Sequence, residues 1–150
     1  MKLVLNKCYG GFGLSHIAMM NLFGLKDIEV YPYKKTDING GIMFLEIDIS
    51  YNDSPQDGSS IWYLKKPLRK LEWQLIENWD EIEQIGFDFL DNDKGRADED
   101  LIKVVEMLGA AANSRYSKLK IVEIPDGSEV VISDYDGFEQ VIYGKELGRA

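Results

Sequence analysis

Glycine-bearing turns set the tightest limit on this fold. Asn39-Gly40, Pro125-Asp126-Gly127 and Asp136-Gly137 each interrupt runs of strand character. Asn-Gly and Asp-Gly tolerate the positive φ angles of two-residue hairpin loops, so the flanking strands fold back antiparallel. "DIEVYPY" (27–33) and "IMFLEIDIS" (42–50) lie on either side of the first signal. "KLKIVEI" (118–124), "SEVVISDY" (128–135) and "FEQVIY" (138–143) surround the other two and read as a meander. "KLVLN" (2–6) is short and apolar enough to begin the sheet from a buried position, and "SIWYLKK" (60–66) adds another strand. "YNDSPQDGSS" (51–60) reads as a loop.

Helical patterns are fewer. After Gly10-Gly11-Phe12-Gly13, Ser15 stands at an N-cap position before "HIAMMNLF", and Gly24 is placed to end that short helix. Pro67 followed by Leu68, Leu71, Leu75, Trp79 and Ile82 predicts a helix over 68–84, although Trp73 and Phe87 also permit strand for parts of it. "DFLDNDKGR" (88–96) reads as loop. The strongest helix runs from Asp98 to Ala112: Asp98, Glu99 and Asp100 complement its dipole, while Leu101, Val104, Val105, Leu108 and Ala112 share one face. The expected architecture is a single α+β domain over 1–150, a mainly antiparallel sheet with one or two packed helices.

The charge of −9 is unevenly placed, because residues 77–106 hold eleven Asp/Glu against three Lys/Arg. Duplex nucleic acid needs a basic footprint and is disfavoured as a partner. The acidic segment reads as a solvated face, or else as a mimic of nucleic acid or a docking surface for a basic partner. No apolar run has the length of a membrane span, and Lys2 leads into too few apolar residues for a signal peptide, so no membrane partner is expected. A single cysteine permits no internal disulfide and fits a reducing cytoplasm.

The glycine cluster could cradle an anion, with Lys7 and the Ser15 hydroxyl beside it. It lacks the spacing of a P-loop and the third glycine of a dinucleotide fingerprint, which favours a structural turn and leaves ligand contact open. Cys8 and His16 flank the same turn, but no third group orients the imidazole, so a nucleophilic pair is rejected. "DISYNDSPQDG" and "DNDKGRADED" miss the glycine and glutamate positions of a calcium loop, and neither metal nor cofactor is expected. Asn113, Arg115, Tyr116 and Lys118 combine an amide, a guanidinium fork and a stacking ring, a set that suits a phosphate and a base. Cations at a helix C-terminus are the plainer account of the same residues. Arg96, amid the acidic stretch, is expected to form an ion pair.

The wording "LNKCYGGFGLSHIAM", with "RADEDLIKVVEMLGAAANSRYSKLKIVEIPDG" and "YDGFEQV", resembles a family of small bacteriophage-encoded proteins, most of them uncharacterised. The resemblance covers roughly residues 2–24 and 96–142. It implies a phage protein acting in the host cytoplasm, and small phage proteins include inhibitors of bacterial immunity that sequester nucleotide second messengers. The expected function is therefore non-catalytic capture of a nucleotide-type ligand, a cyclic oligonucleotide or a cyclic ADP-ribose-like molecule. Lys7, Tyr9, Gly10, Gly11, Phe12, Ser15, Asn113, Arg115 and Tyr116 are the expected binding residues. A homo-oligomer is expected, since subunit interfaces let a small domain enclose a ligand. The alternative is an acidic interaction protein that inhibits a host protein through the 77–106 surface.

Overall fold

Leu3, Val4 and Leu5 are buried in β1 (Lys2–Asn6), a strand covered on both faces. The computed structural model describes residues 1–38, 41–48, 60–68, 73–75 and 82–144, with backbone alone for Ile38 and 73–75. The remaining elements are α1 (His16–Leu25), β2 (Tyr31–Ile38), β3 (Gly41–Glu46), β4 (Ser60–Leu64), β5 (Trp73–Leu75), α2 (Glu99–Leu108), β6 (Leu119–Glu123), β7 (Val130–Tyr135) and β8 (Phe138–Tyr143). The architecture is α+β, and all strand pairings among the described residues are antiparallel.

The sheet is divided. β1 pairs with β6, β7 pairs with β8, and a four-stranded sheet has the order β4-β2-β3-β5. The expected meander fails between β6 and β7, because β6 takes β1 as its partner (Lys2 opposite Glu123, Asn6 opposite Leu119). β1 exposes apolar side chains alternately to two sides, and each side needs cover. Val4 packs with Ala18, Leu22, Leu101, Val104 and Leu119 under the two helices. Leu3 packs with Ile124, Val130, Ile132 and Val141, so the β7–β8 hairpin closes the second face. Each such buried Val or Leu contributes about 1.5–3 kcal/mol.

Ser15 caps α1 by accepting from the Ala18 amide (3.1 Å). Gly24 does not end the helix. α1 closes three residues later, with Asp27 at φ 55° and amide bonds from Asp27 to the Gly24 carbonyl and from Ile28 to the Phe23 carbonyl. That is a Schellman closure with aspartate in the left-handed position usually held by glycine. α2 is shorter than expected: Asp98 is its N-cap, Gly109 its C-cap, and Gly109–Ala112 continue as a 3₁₀ turn. The expected loop at 88–96 contains two 3₁₀ helices, Asp88–Asp91 and Asp93–Ala97.

The helix expected over 68–84 is contradicted wherever it is described. Trp73–Leu75 pair with β3, and the Glu83 carbonyl accepts from the Lys65 amide beside β4. Leu71 and Leu75 keep a helical spacing in the sequence, while Trp73 and Leu75 are two apart as in a strand, and for 73–75 the pairing with β3 decides. The strand expected over 27–33 begins later, at Tyr31, once the helix closure has ended. Ile38 pairs with Gly41, which fits a two-residue hairpin connection, while Asn39 and Gly40 lie outside the described residues. The loop expected over 51–60 lies outside them too, apart from Ser60, which opens β4. Asp136 and Gly137 join β7 to β8 with positive φ (52° and 90°), the geometry of a type I′ hairpin turn.

Candidate functional site

The glycine turn and the 113–118 segment meet in space, tied by backbone contacts. The Lys7 amide donates to the Lys118 carbonyl (2.8 Å), the Ser15 amide to the Ala112 carbonyl (2.9 Å), and the Ser117 hydroxyl to the Gly13 carbonyl (2.8 Å). A Cβ at Gly10 would lie 1.8 Å from the Tyr116 carbonyl oxygen, and one at Gly13 would lie 2.7 Å from the Ser114 hydroxyl. On the other side, a Cβ at Gly137 would meet the Gly11 nitrogen at 2.4 Å. The glycines thus let three chain segments approach more closely than side chains allow.

Several expected binding groups are engaged within this junction. The Ser15 hydroxyl donates to the Ala111 carbonyl (2.6 Å) while capping α1. Asn113 accepts from the Leu119 amide (2.8 Å). The Phe12 ring lies against the Arg96 guanidinium, whose carbon is 3.6 Å from the ring centroid. Arg115 and Tyr116 are exposed and lie beside each other, the guanidinium 5.3 Å from the ring. Cys8 and His16 face different partners. The Cys8 thiol lies 3.1 Å from the Tyr116 carbonyl oxygen, whereas His16 Nε2 lies 2.8 Å from the Asp48 carbonyl oxygen and Nδ1 2.9 Å from the Tyr63 hydroxyl. A carbonyl only accepts, so Nε2 carries a proton.

Two residues that the sequence reading passed over hold this region together. Asn6 is fully buried; its amide nitrogen donates to the carbonyls of Cys8 (2.8 Å) and Gly137 (2.6 Å), and its side-chain oxygen accepts from the Lys118 amide. Glu139 is buried on β8 and takes both Arg96 amino groups in a bidentate pair, at 2.6 and 2.9 Å, while also accepting from the Asn6 amide. The expected ion pair of Arg96 is therefore made with β8 and not within its own acidic segment. Alternation carried a signal for the burial of Glu139, though not for its partner: Glu139 falls in register with Val141, which packs on the core, and a carboxylate placed there needs a partner.

Lys7 and Tyr9 contribute to a separate surface. In the hairpin register Tyr135 is opposite Phe138 and Ser133 opposite Gln140. With Tyr9 these four residues line a pocket of about 400 Å³. Tyr9 leans on Phe138 at a centroid distance of 5.3 Å, yet Tyr9 is 66% exposed and Tyr135 77%. The Lys7 ammonium sits 5.2 Å above the Phe138 ring and donates to the Glu139 carbonyl (2.6 Å). Three rings, the Ser133 hydroxyl and the Gln140 amide thus line one open face, with the Lys7 ammonium against its Phe138 ring, and such a face can stack a planar ring and hydrogen-bond its edge.

Among the described residues no group of three His, Cys, Asp or Glu side chains is placed to hold a metal ion, and no helix is long and apolar enough to cross a membrane. No known protein family, curated protein or solved structure matches the chain.

Proposed function

We propose that this chain is a non-catalytic binder of a nucleotide-type small molecule, of the kind a phage protein uses to sequester a host second messenger in the bacterial cytoplasm. The observation that carries the reading is the open aromatic face of Tyr9, Tyr135 and Phe138 with the Lys7 ammonium at its edge. Exposed Tyr135 on the β7–β8 hairpin and exposed Tyr9 on the glycine turn beside it suit base stacking, Gln140 and Ser133 offer donors and acceptors to a base edge, and Lys7 supplies a cation for a phosphate. Arg115 and Tyr116 are neighbours of this face through the Gly10 contact and would extend it along a larger ligand. Ser15 and Asn113 support the junction and are not part of the proposed contact surface. A second copy of the chain laid over the open face would complete the enclosure, with cyclic oligonucleotides and cyclic ADP-ribose-like molecules as the ligand class.

Calorimetric titration of a panel of cyclic nucleotides tests the reading. One ligand should bind, and Tyr9→Ala or Tyr135→Ala should each weaken it by about tenfold, the effect of losing one stacking partner. A panel without any binder defeats the nucleotide reading. Binding that both variants retain at full strength defeats this site.

A further inference from the structure

The lysines of the β1–β6 sheet are divided between its two faces. Val4 and Leu119 lie on the helix side, and Leu3 and Val122 on the side of the β7–β8 hairpin. Side chains alternate along a strand, so Lys2 falls with Val4, whereas Lys7 falls with Leu3, and Lys118 and Lys120 with Val122. On the helix side the cation is neutralised, since Lys2 pairs with Glu106 on α2 (3.1 Å). The hairpin side differs. Among the described residues Lys7, Lys118 and Lys120 form no ion pair, although the chain carries a net charge of −9. The three make one row. The Lys7 amide donates to the Lys118 carbonyl, which sets these residues opposite each other, and Lys120 follows about 7 Å farther along the strand. Lys118 and Lys120 are exposed, and the Lys7 ammonium lies against the Phe138 ring of the aromatic face. Like charges side by side on a sheet repel one another, and a bound anion relieves that repulsion. The row is also short. Beyond Val122 the next charged side chains are Glu123, Asp126 and Glu129, all exposed.

Resting on the nucleotide reading of the aromatic face, we propose that this row is a phosphate track, and that the ligand is a short oligonucleotide of two or three phosphodiester-linked nucleotides. A stacking platform beside a line of cations is the arrangement by which proteins hold nucleotides joined through phosphates. With a base on the Phe138 side of the face, its phosphate meets Lys7, and the next phosphate meets Lys118 or Lys120. A mononucleotide would use Lys7 alone. The adjoining phosphates of a cyclic ADP-ribose-like molecule are too close together to span the row. A long single strand would run off the row onto Glu123 and the acids beyond it, where like charge repels it. Cyclic dinucleotides are the simplest molecules that carry two separated phosphates and little else.

Calorimetric titration of the whole protein tests the proposal, with cyclic AMP, cyclic GMP, cyclic ADP-ribose, cyclic di-AMP, cyclic di-GMP, cyclic AMP-GMP and single-stranded DNA of mixed sequence. One cyclic dinucleotide should bind at least about tenfold more tightly than every other class in the panel. Lys118→Gln combined with Lys120→Gln should weaken it by about tenfold or more. Lys2→Gln combined with Lys103→Gln removes the same two charges elsewhere and should change its affinity less than about twofold. All four positions are exposed, so the melting temperatures should hold and certify the fold. Mononucleotides or cyclic ADP-ribose binding as tightly as the dinucleotide would overturn the track and leave the aromatic face standing. Equal effects of the two double variants would reduce the row to part of the general field, and tighter binding of single-stranded DNA would make it a strand site. Either result overturns the proposal. A panel with no binder at all defeats the nucleotide reading itself.

Discussion

At Gly10 a single methyl group decides whether two segments can touch. Its Cβ would overlap the Tyr116 carbonyl, a backbone atom that cannot swing aside, whereas a Cβ at Gly24 would enter open space on α1. Gly10→Ala should lose about 1–3 kcal/mol or more to overpacking, and Gly24→Ala should gain up to about 1 kcal/mol from helix propensity. Urea unfolding of the two variants checks both signs. The Arg96–Glu139 pair makes a different demand. Glu139→Ala strands a buried guanidinium and removes the acceptor for the Asn6 amide, and should cost about 3–5 kcal/mol. Replacing both partners with apolar residues, Arg96→Met with Glu139→Leu, should recover more than half of that loss, because no buried charge is then left alone. A Glu139→Ala loss below about 1 kcal/mol would show the pair to be solvated.

Among the elements, the two helices are joined by charge as well as by packing. Lys26, just past α1, donates to Asp98 (3.0 Å) and Asp100 (3.1 Å) at the start of α2, and Asp98 also caps the Leu101 amide (3.0 Å). Partial burial works against the Lys26 charge, but the hydrogen bonds and charges of the two aspartates outweigh it and raise its pKa above 10.5. A raised lysine pKa stabilises the fold fully below the unfolded value, and that contribution disappears as pH climbs through the folded one. The stability gap between wild type and Lys26→Met should therefore be constant to about pH 10 and shrink above it, as read from melting temperatures across pH 8 to about 11.5. The acidic segment expected to be a solvated face is thus in part a set of caps and bridges: Asp93 accepts from the Ile132 amide (3.1 Å), while Glu77 and Glu81 lie outside the described residues.

Across the whole molecule, the helices and the four-stranded sheet keep separate cores, one around Val4, Leu22 and Leu101 and the other around Tyr33, Phe44, Leu64 and Leu68. The lone histidine spans the gap. His16 is buried on α1, stacks on Tyr63 of β4, and donates to the Asp48 carbonyl beyond β3, while Phe23 adds a ring contact to Tyr63 at 5.3 Å. His16→Ala should raise amide exchange in β2, β3 and β4 by about tenfold or more and leave β1 and β6 protected. A uniform loss of protection would mean that the two cores unfold as one.

Features that depend on neighbours along the chain were legible before any fold was known. Ser15 as a cap, the Asp136-Gly137 turn and the apolar face of α2 follow from local hydrogen bonding, positive φ and helical period, and together they imply the α+β class. Tertiary structure decided what depends on distant partners. Trp73–Leu75 became strand because β3 had an edge to fill, and β6 left the expected meander because β1 needed a partner. The glycine turn is held by Tyr116 on one side and Gly137 on the other, over a hundred residues away. Glu139 was invisible as the partner of Arg96, and Tyr135 and Phe138 as the companions of Tyr9, because a one-dimensional pattern carries periodicity but not the pairing that brings two faces together.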